Sequence, residues 1–147
     1  MFFVFNKYRD MILTKSYLTD LIYKVTGAAI EVHEQLGPGL LESVYHKCLI
    51  KELSLRNIRY QSEVIVRVDY KGLFLDTELR CDLLIEGALP VELKAVDEIH
   101  PIHEAQIMTY MKLLEAPKGL LINFNVVNIS KEGQRAYVNE LYRNLPD

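Results

Sequence analysis

The stretch RCDLLIEGALPVELKA, Arg80 to Ala95, constrains the fold more than any other part of the chain. Two apolar runs flank EGA, and both alternate with period two, as strands with differing faces do. In the first run Leu79, Cys81, Leu83 and Ile85 point one way, and Arg80, Asp82, Leu84 and Glu86 the other. In the second, Leu89, Val91, Leu93 and Ala95 share a face, with Glu92 and Lys94 opposite. If Glu86, Gly87 and Ala88 form a three-residue hairpin loop with Gly87 left-handed, Ile85 faces Leu89 and Leu83 faces Val91. Asp82 then faces Glu92 with Cβ atoms about 5 Å apart, and Arg80 faces Lys94.

Like charges directly opposite on a sheet are destabilising, so this face needs a reason. One reading is an ordinary solvated face with diagonal Asp82–Lys94 and Arg80–Glu92 pairs. The other is a divalent cation between the acids. Mg²⁺ is typically held by one or two carboxylates together with waters and phosphate oxygens. Lys94, on the same face, would stabilise phosphate charge or orient a water there.

The rest of the chain supplies a frame for that hairpin. Apolar residues recur at helical spacing from Leu18 through Leu21, Ile22, Val25, Ala29 and Val32 to Leu36, and Gly37-Pro38-Gly39 ends that helix. A second helix is expected from about Leu40 to Leu55, closed by Arg56 and Asn57. Ser62 to Tyr70 reads as a strand, Lys71 and Gly72 as a turn, and Leu73 to Ile85 as a second strand interrupted near Asp76 and Thr77. Leu89 to Val96 makes the third strand, and Pro101 suits the first turn of a helix reaching about Glu115. Gly119 to Phe124 reads as a buried fourth strand, and Ser130 to Arg143 as a short helix. Short turns make the first three strands an antiparallel meander, and a helical crossover returns the fourth parallel to the third. The expectation is α/β: one mixed four-stranded sheet between helices, in a single domain over residues 18–147 after an N-terminal extension, 1–17.

Composition narrows the function classes. Of 147 residues half are hydrophobic, enough for one sizeable core. Seventeen Lys+Arg against twenty Asp+Glu give a net charge of −3, so a nucleic-acid role must rest on a local site rather than a basic coat. Cys48 and Cys81 lie in apolar patterns without metal-ligand spacing and read as small buried hydrophobes, compatible with a reducing cytoplasm. The opening MFFVF is too short for a signal peptide and Met11 is an alternative start. No run approaches the roughly 18 apolar residues of a membrane span.

Asp82 followed by Glu92-Leu93-Lys94 resembles the signature of the PD-(D/E)XK nuclease superfamily, an acid on one strand and (D/E)-x-K on the next. Further, GLLESVY (Gly39 to Tyr45) resembles the motif that names the GxxExxY family within it. EVHEQLGPGLLESVY, VELKAV and PIHEAQ…Y add to that likeness, which runs from about Val25 to Phe124. The resemblance implies the restriction-endonuclease-like α-β-β-β-α-β core, here with an extra N-terminal helix. It also implies a Mg²⁺-dependent nuclease, with Mn²⁺ as a substitute, acting on phosphodiester bonds of DNA ahead of RNA.

On this resemblance Asp82, Glu92, the Leu93 carbonyl and Glu42 would hold metal, and Lys94 would position the water. Glu42 in the first turn of its helix also simply suits the helix dipole. Gln106 and Tyr110, at i and i+4, resemble a Q-x-x-x-Y element in which Gln lies beside the site and Tyr approaches the substrate backbone. Tyr45, Arg80, His103 and Tyr110 are the candidate substrate contacts, and Gln106 joins the catalytic set. Core packing for the tyrosines and a structural hydrogen bond for His103 or His33 are the plain alternatives. The competing class is a non-catalytic nucleic-acid-binding or protein-interaction module that keeps the fold. The expected partner is nucleic acid in the cytoplasm, with no membrane and with a homo-oligomer left open.

Overall fold

Thr14 opens the first helix: its hydroxyl accepts the Tyr17 N–H at 3.0 Å. In the computed structural model, residues 13–147 are described; Met11 and most of the expected extension 1–17 lie outside them. Helix α1 (Lys15–Leu36) therefore starts three residues before Leu18. It buries Leu18, Leu21, Val25, Ala28, Ala29 and Val32, a stripe at helical spacing, and stops at Gly37, whose φ of 70° needs no Cβ. Helix α2 (Glu42–Leu55) follows the GPG turn. Asn57, left-handed at φ 57°, ends it, and the Ile58 N–H returns to the Leu53 carbonyl at 3.0 Å.

Strands β1 (Tyr60–Tyr70), β2 (Leu73–Ile85) and β3 (Leu89–Lys94) form the antiparallel meander. Helix α3 (Pro101–Leu113) crosses over to β4 (Lys118–Asn123), which pairs parallel to β3 with Val91 opposite Leu120. Helices α1 and α2 pack one face of the sheet through Leu83, Ile85, Leu89, Val91, Leu93, Leu120, Ile122 and Phe124. On the other face, Tyr110 of α3 covers Val64, Val66, Cys81 and Leu84. This mixed α/β sandwich is consistent with a restriction-endonuclease-like fold that carries an N-terminal helix.

Two expectations need correction. The sheet has five strands, ordered β1-β2-β3-β4-β5, because the tail is not one helix from Ser130 to Arg143. It makes one π-helical turn (Ile129–Gly133), then β5 (Gln134–Val138) antiparallel to β4, and only then the short helix α4 (Glu140–Arg143). Buried β4 has backbone groups on both edges, and only a strand can supply ladder partners to the second one.

The other correction concerns β2. Cys81 packs with Leu84, whereas Leu83 and Ile85 belong to the opposite core, so the alternation shifts at Asp82. Across from it, between the pairs Ser62–Leu83 and Val64–Cys81, Glu63 takes φ 52° and breaks the pleat of β1. Further out, Ile65 pairs with Arg80 and Arg67 with Asp76, so Thr77, Glu78 and Leu79 stand opposite the single residue Val66. Thr77 stabilises this bulge: its hydroxyl donates to the Val66 carbonyl at 2.6 Å and accepts the Leu79 N–H at 3.1 Å.

Candidate active site

The hairpin loop sets the acids opposite each other. Glu86 and Gly87 adopt φ of 52° and 66°, the Ala88 N–H closes on the Ile85 carbonyl at 2.9 Å, and Ile85 faces Leu89. The backbone pairing of β2 with β3 runs from there to Leu83–Val91. One step on, side chains bridge the strands: the Asp82 N–H donates to Glu92 Oε1 at 2.9 Å, and the Leu93 N–H donates to Asp82 Oδ2 at 2.8 Å. Each acid is thus fixed by the other strand's backbone.

Burial makes this arrangement costly without a counter-charge. Glu92 is 3% exposed and Asp82 is half-buried. Burial, and then the charge of Asp82, push the Glu92 carboxyl well above its ordinary value. Burial likewise raises Asp82, against the Leu93 N–H bond and the nearby charges of His46 and Lys94, which favour its ionised form. Lys94 points to the same cluster, and its ammonium donates to Gln106 Oε1 at 3.3 Å. Gln106 Nε2 in turn donates to the Tyr110 hydroxyl at 3.1 Å. Glu42, at the N-terminus of α2, is raised by burial; the charge of Lys94 lowers it and that of Asp82 raises it. Helices α2 and α3 therefore bring Glu42 and Gln106 to the electrostatic neighbourhood of one hairpin.

Three candidate substrate contacts stand differently from expectation. Tyr45 is fully buried, stacks on Phe124 at 4.5 Å between centroids, and donates its hydroxyl hydrogen to the Gly37 carbonyl. The same hydroxyl accepts the Leu40 N–H at 3.2 Å, so Tyr45 anchors the GPG turn and hence the start of α2. A side chain without exposed surface offers nothing to a substrate. Tyr110 is 2% exposed; burial, helped by the charge of Glu92, pushes its hydroxyl up to about 12. It acts on Gln106. Arg80 is exposed, pairs through its backbone with Ile65, and has no ion pair among the described residues, because β2 has diverged from β3 before reaching it.

His103 is half-buried near Lys94, and its Nδ1 accepts the His100 N–H at 3.0 Å. His33 is structural: its Nε2 lies 2.8 Å from the Val126 carbonyl. Sequence reasoning passed over His46 and Asn123. His46 stands one turn after Glu42, 2.9 Å from the Ser62 hydroxyl, and its i, i+4 spacing from Glu42 was the available signal. Asn123, opposite Lys94 in the ladder, clamps the chain beyond it by bonding both the N–H and the carbonyl of Val96. A lone Asn at a strand end gives no such sign in sequence.

The donor set tests what ion suits the cluster. No group of three His, Cys, Asp or Glu side chains among the described residues is placed to cage a metal. One buried and one half-buried carboxylate, both of raised proton affinity, fit a hard cation that keeps several waters, as Mg²⁺ does. The Cys81 thiol, which burial pushes above the usual thiol range, is no competing soft ligand.

The model of the PD-(D/E)XK nuclease superfamily matches residues 8–136. The chain belongs to that superfamily. Comparison with curated proteins and with solved structures gives no match. In this PD-(D/E)XK domain Asp82, Glu92 and Lys94, the residues that resemble the superfamily signature, come together across β2 and β3, with Lys94 bonded to Gln106 of α3. Superfamily membership suggests a nuclease, with nucleic acid as substrate and a divalent metal as the group such nucleases generally use. No helix among the described residues is long and apolar enough to cross a membrane.

Proposed function

We propose that the chain is a Mg²⁺-dependent nuclease that hydrolyses phosphodiester bonds, in DNA ahead of RNA, and that it belongs to the GxxExxY branch. The observation that carries this reading is the Asp82–Glu92 pair, whose acids are aligned by each other's backbone and raised in proton affinity by burial. Asp82, Glu92 and the Leu93 carbonyl would hold the ion, with Glu42 reaching it through one of the ion's waters and Mn²⁺ as a substitute. Bound there, it would supply charge for a phosphate and lower the pKa of an attacking water.

The chain's own residues do the rest. Lys94, oriented by Gln106, neutralises charge that develops on the phosphate oxygens and positions the attacking water. Tyr110 fixes which way the Gln106 amide faces, because its hydroxyl takes the Nε2–H and leaves Oε1 for Lys94. Asn123 limits movement of the backbone just after Lys94. The test is cleavage of single-stranded DNA, duplex DNA and RNA in Mg²⁺, in Mn²⁺ and in EDTA. Cleavage confined to the metal arms supports the reading. Intact substrate in every arm at high enzyme concentration contradicts it.

A further inference from the structure

Beside Lys94 lies a pocket of different character from the charged cluster. Leu79 of the β2 bulge and Ile102, His103, Ala105, Gln106 and Thr109 of α3 line it together with Tyr110, around about 300 Å³. That is the small end of the range for ligand pockets, room for one planar ring system. Leu79 and Ile102 are large apolar side chains left 43% and 71% exposed. Gln106 also belongs to the charged cluster, bonding Lys94, so the pocket and the cluster share this side chain.

A nucleotide next to a phosphate at Lys94 can present a neighbouring phosphate, a sugar or a base here. A phosphate would need cations, and no Lys or Arg lines the pocket. A base within a duplex has both faces covered by its neighbours and cannot enter. An unstacked base offers a flat face to the apolar walls and polar edges to the Gln106 amide and the His103 ring. Nδ1 of His103 accepts the His100 N–H, so its ring proton sits on Nε2 as a donor. The arm of β1 and β2 beyond β3 adds an independent sign. There Arg67, Lys71 and Arg80 are balanced by Asp69, Asp76 and Glu78, leaving no net positive ribbon to clamp a second strand.

We propose that this pocket is a base slot, taking one unstacked nucleobase adjacent to the scissile phosphate, so that the substrate class is single-stranded or frayed nucleic acid. The inference rests on the nuclease reading for the position of the phosphate. It is tested by binding short single strands that carry a fluorescent adenine analogue, brighter when unstacked, at each position in turn. Binding is measured in Ca²⁺, with a fully paired duplex as comparison, and cleavage is measured separately in Mg²⁺.

The expected result is increased fluorescence at one position on binding wild type. Leu79→Ala and Ile102→Ala should each weaken single-strand binding at least roughly 5-fold, the lower end for packing a base, with duplex binding unchanged. Both residues are surface-exposed, so circular dichroism should remain that of wild type. Unchanged single-strand binding by both variants, or no brightening at any position, overturns the slot. If Mg²⁺-dependent cleavage persists in that case, the nuclease reading stands without it. If the brightening and the losses appear while wild type cleaves nothing, the slot stands as a binding site and the nuclease reading falls.

Discussion

Under the proposed function Lys94 and Glu92 would act oppositely on a phosphate, and single substitutions separate them. Lys94 has its ammonium on Gln106 and, in the proposed reaction, would supply positive charge where negative charge develops. Lys94→Ala should therefore lower turnover roughly 100- to 1000-fold. Oligonucleotide affinity should change much less, which steady-state kinetics beside equilibrium binding would resolve. Glu92 gives a pH signature in metal-free buffer. Its folded-state proton affinity is raised above the ordinary carboxylate value of 4.5, so the folded chain binds more protons than the unfolded chain across the interval between the two. Stability should fall as pH rises through that interval and level off above it. Glu92→Gln should flatten this slope; denaturant unfolding in EDTA across pH measures it, and an unchanged slope would put the proton elsewhere.

Among the elements, the start of α2 matters most for the site, because Glu42 stands on its first turn. Its placement depends on Tyr45, whose hydroxyl bonds Gly37 and Leu40 and whose ring stacks on Phe124 of the segment after β4. Tyr45→Phe keeps the stack and removes both bonds. The expected cost is about 1 kcal/mol of stability, and calorimetry should show a melting temperature a few degrees lower. Substrate KM should stay near wild type, whereas a large KM rise would mean that Tyr45 meets the substrate.

Period and turn chemistry made most of these elements legible. Hairpin spacing set Asp82 against Glu92, and Gly87 and Asn57 fell in left-handed turns. The face of Cys81 was not legible, because it depends on a positive φ at Glu63 in a different strand. Strand β5 was missed for a similar reason: five residues, QRAYV, become a strand only because β4 offers them an open edge. Substrate contact and core packing both stayed open for Tyr45 and Tyr110, because a sequence shows spacing along a helix but not what packs over it. Asn123 and His46 gained their places from tertiary neighbours alone.

Taken as a whole, the molecule carries a net charge of −3 and concentrates its chemistry at one end of a hairpin. Nucleic-acid binding should therefore depend on the divalent ion and vary weakly with monovalent salt. A log–log slope of about −2 or shallower, equivalent to about two or three phosphates on a single strand, is the expected outcome of a salt titration. A much steeper slope would reveal a cationic surface outside the proposed site. The most direct measurement of the central claim is oligonucleotide cleavage as a function of Mg²⁺ concentration, for wild type and Asp82→Asn side by side. Wild type should cleave with saturable Mg²⁺ dependence. Asp82→Asn, folded and at least as stable in EDTA because the repulsion with Glu92 is relieved, should need far more Mg²⁺ and turn over slowly. Equal Mg²⁺ curves for the two proteins would contradict the metal role of the acid pair. No cleavage by wild type, with binding that persists unchanged in Asp82→Asn, would make the fold a binding module instead.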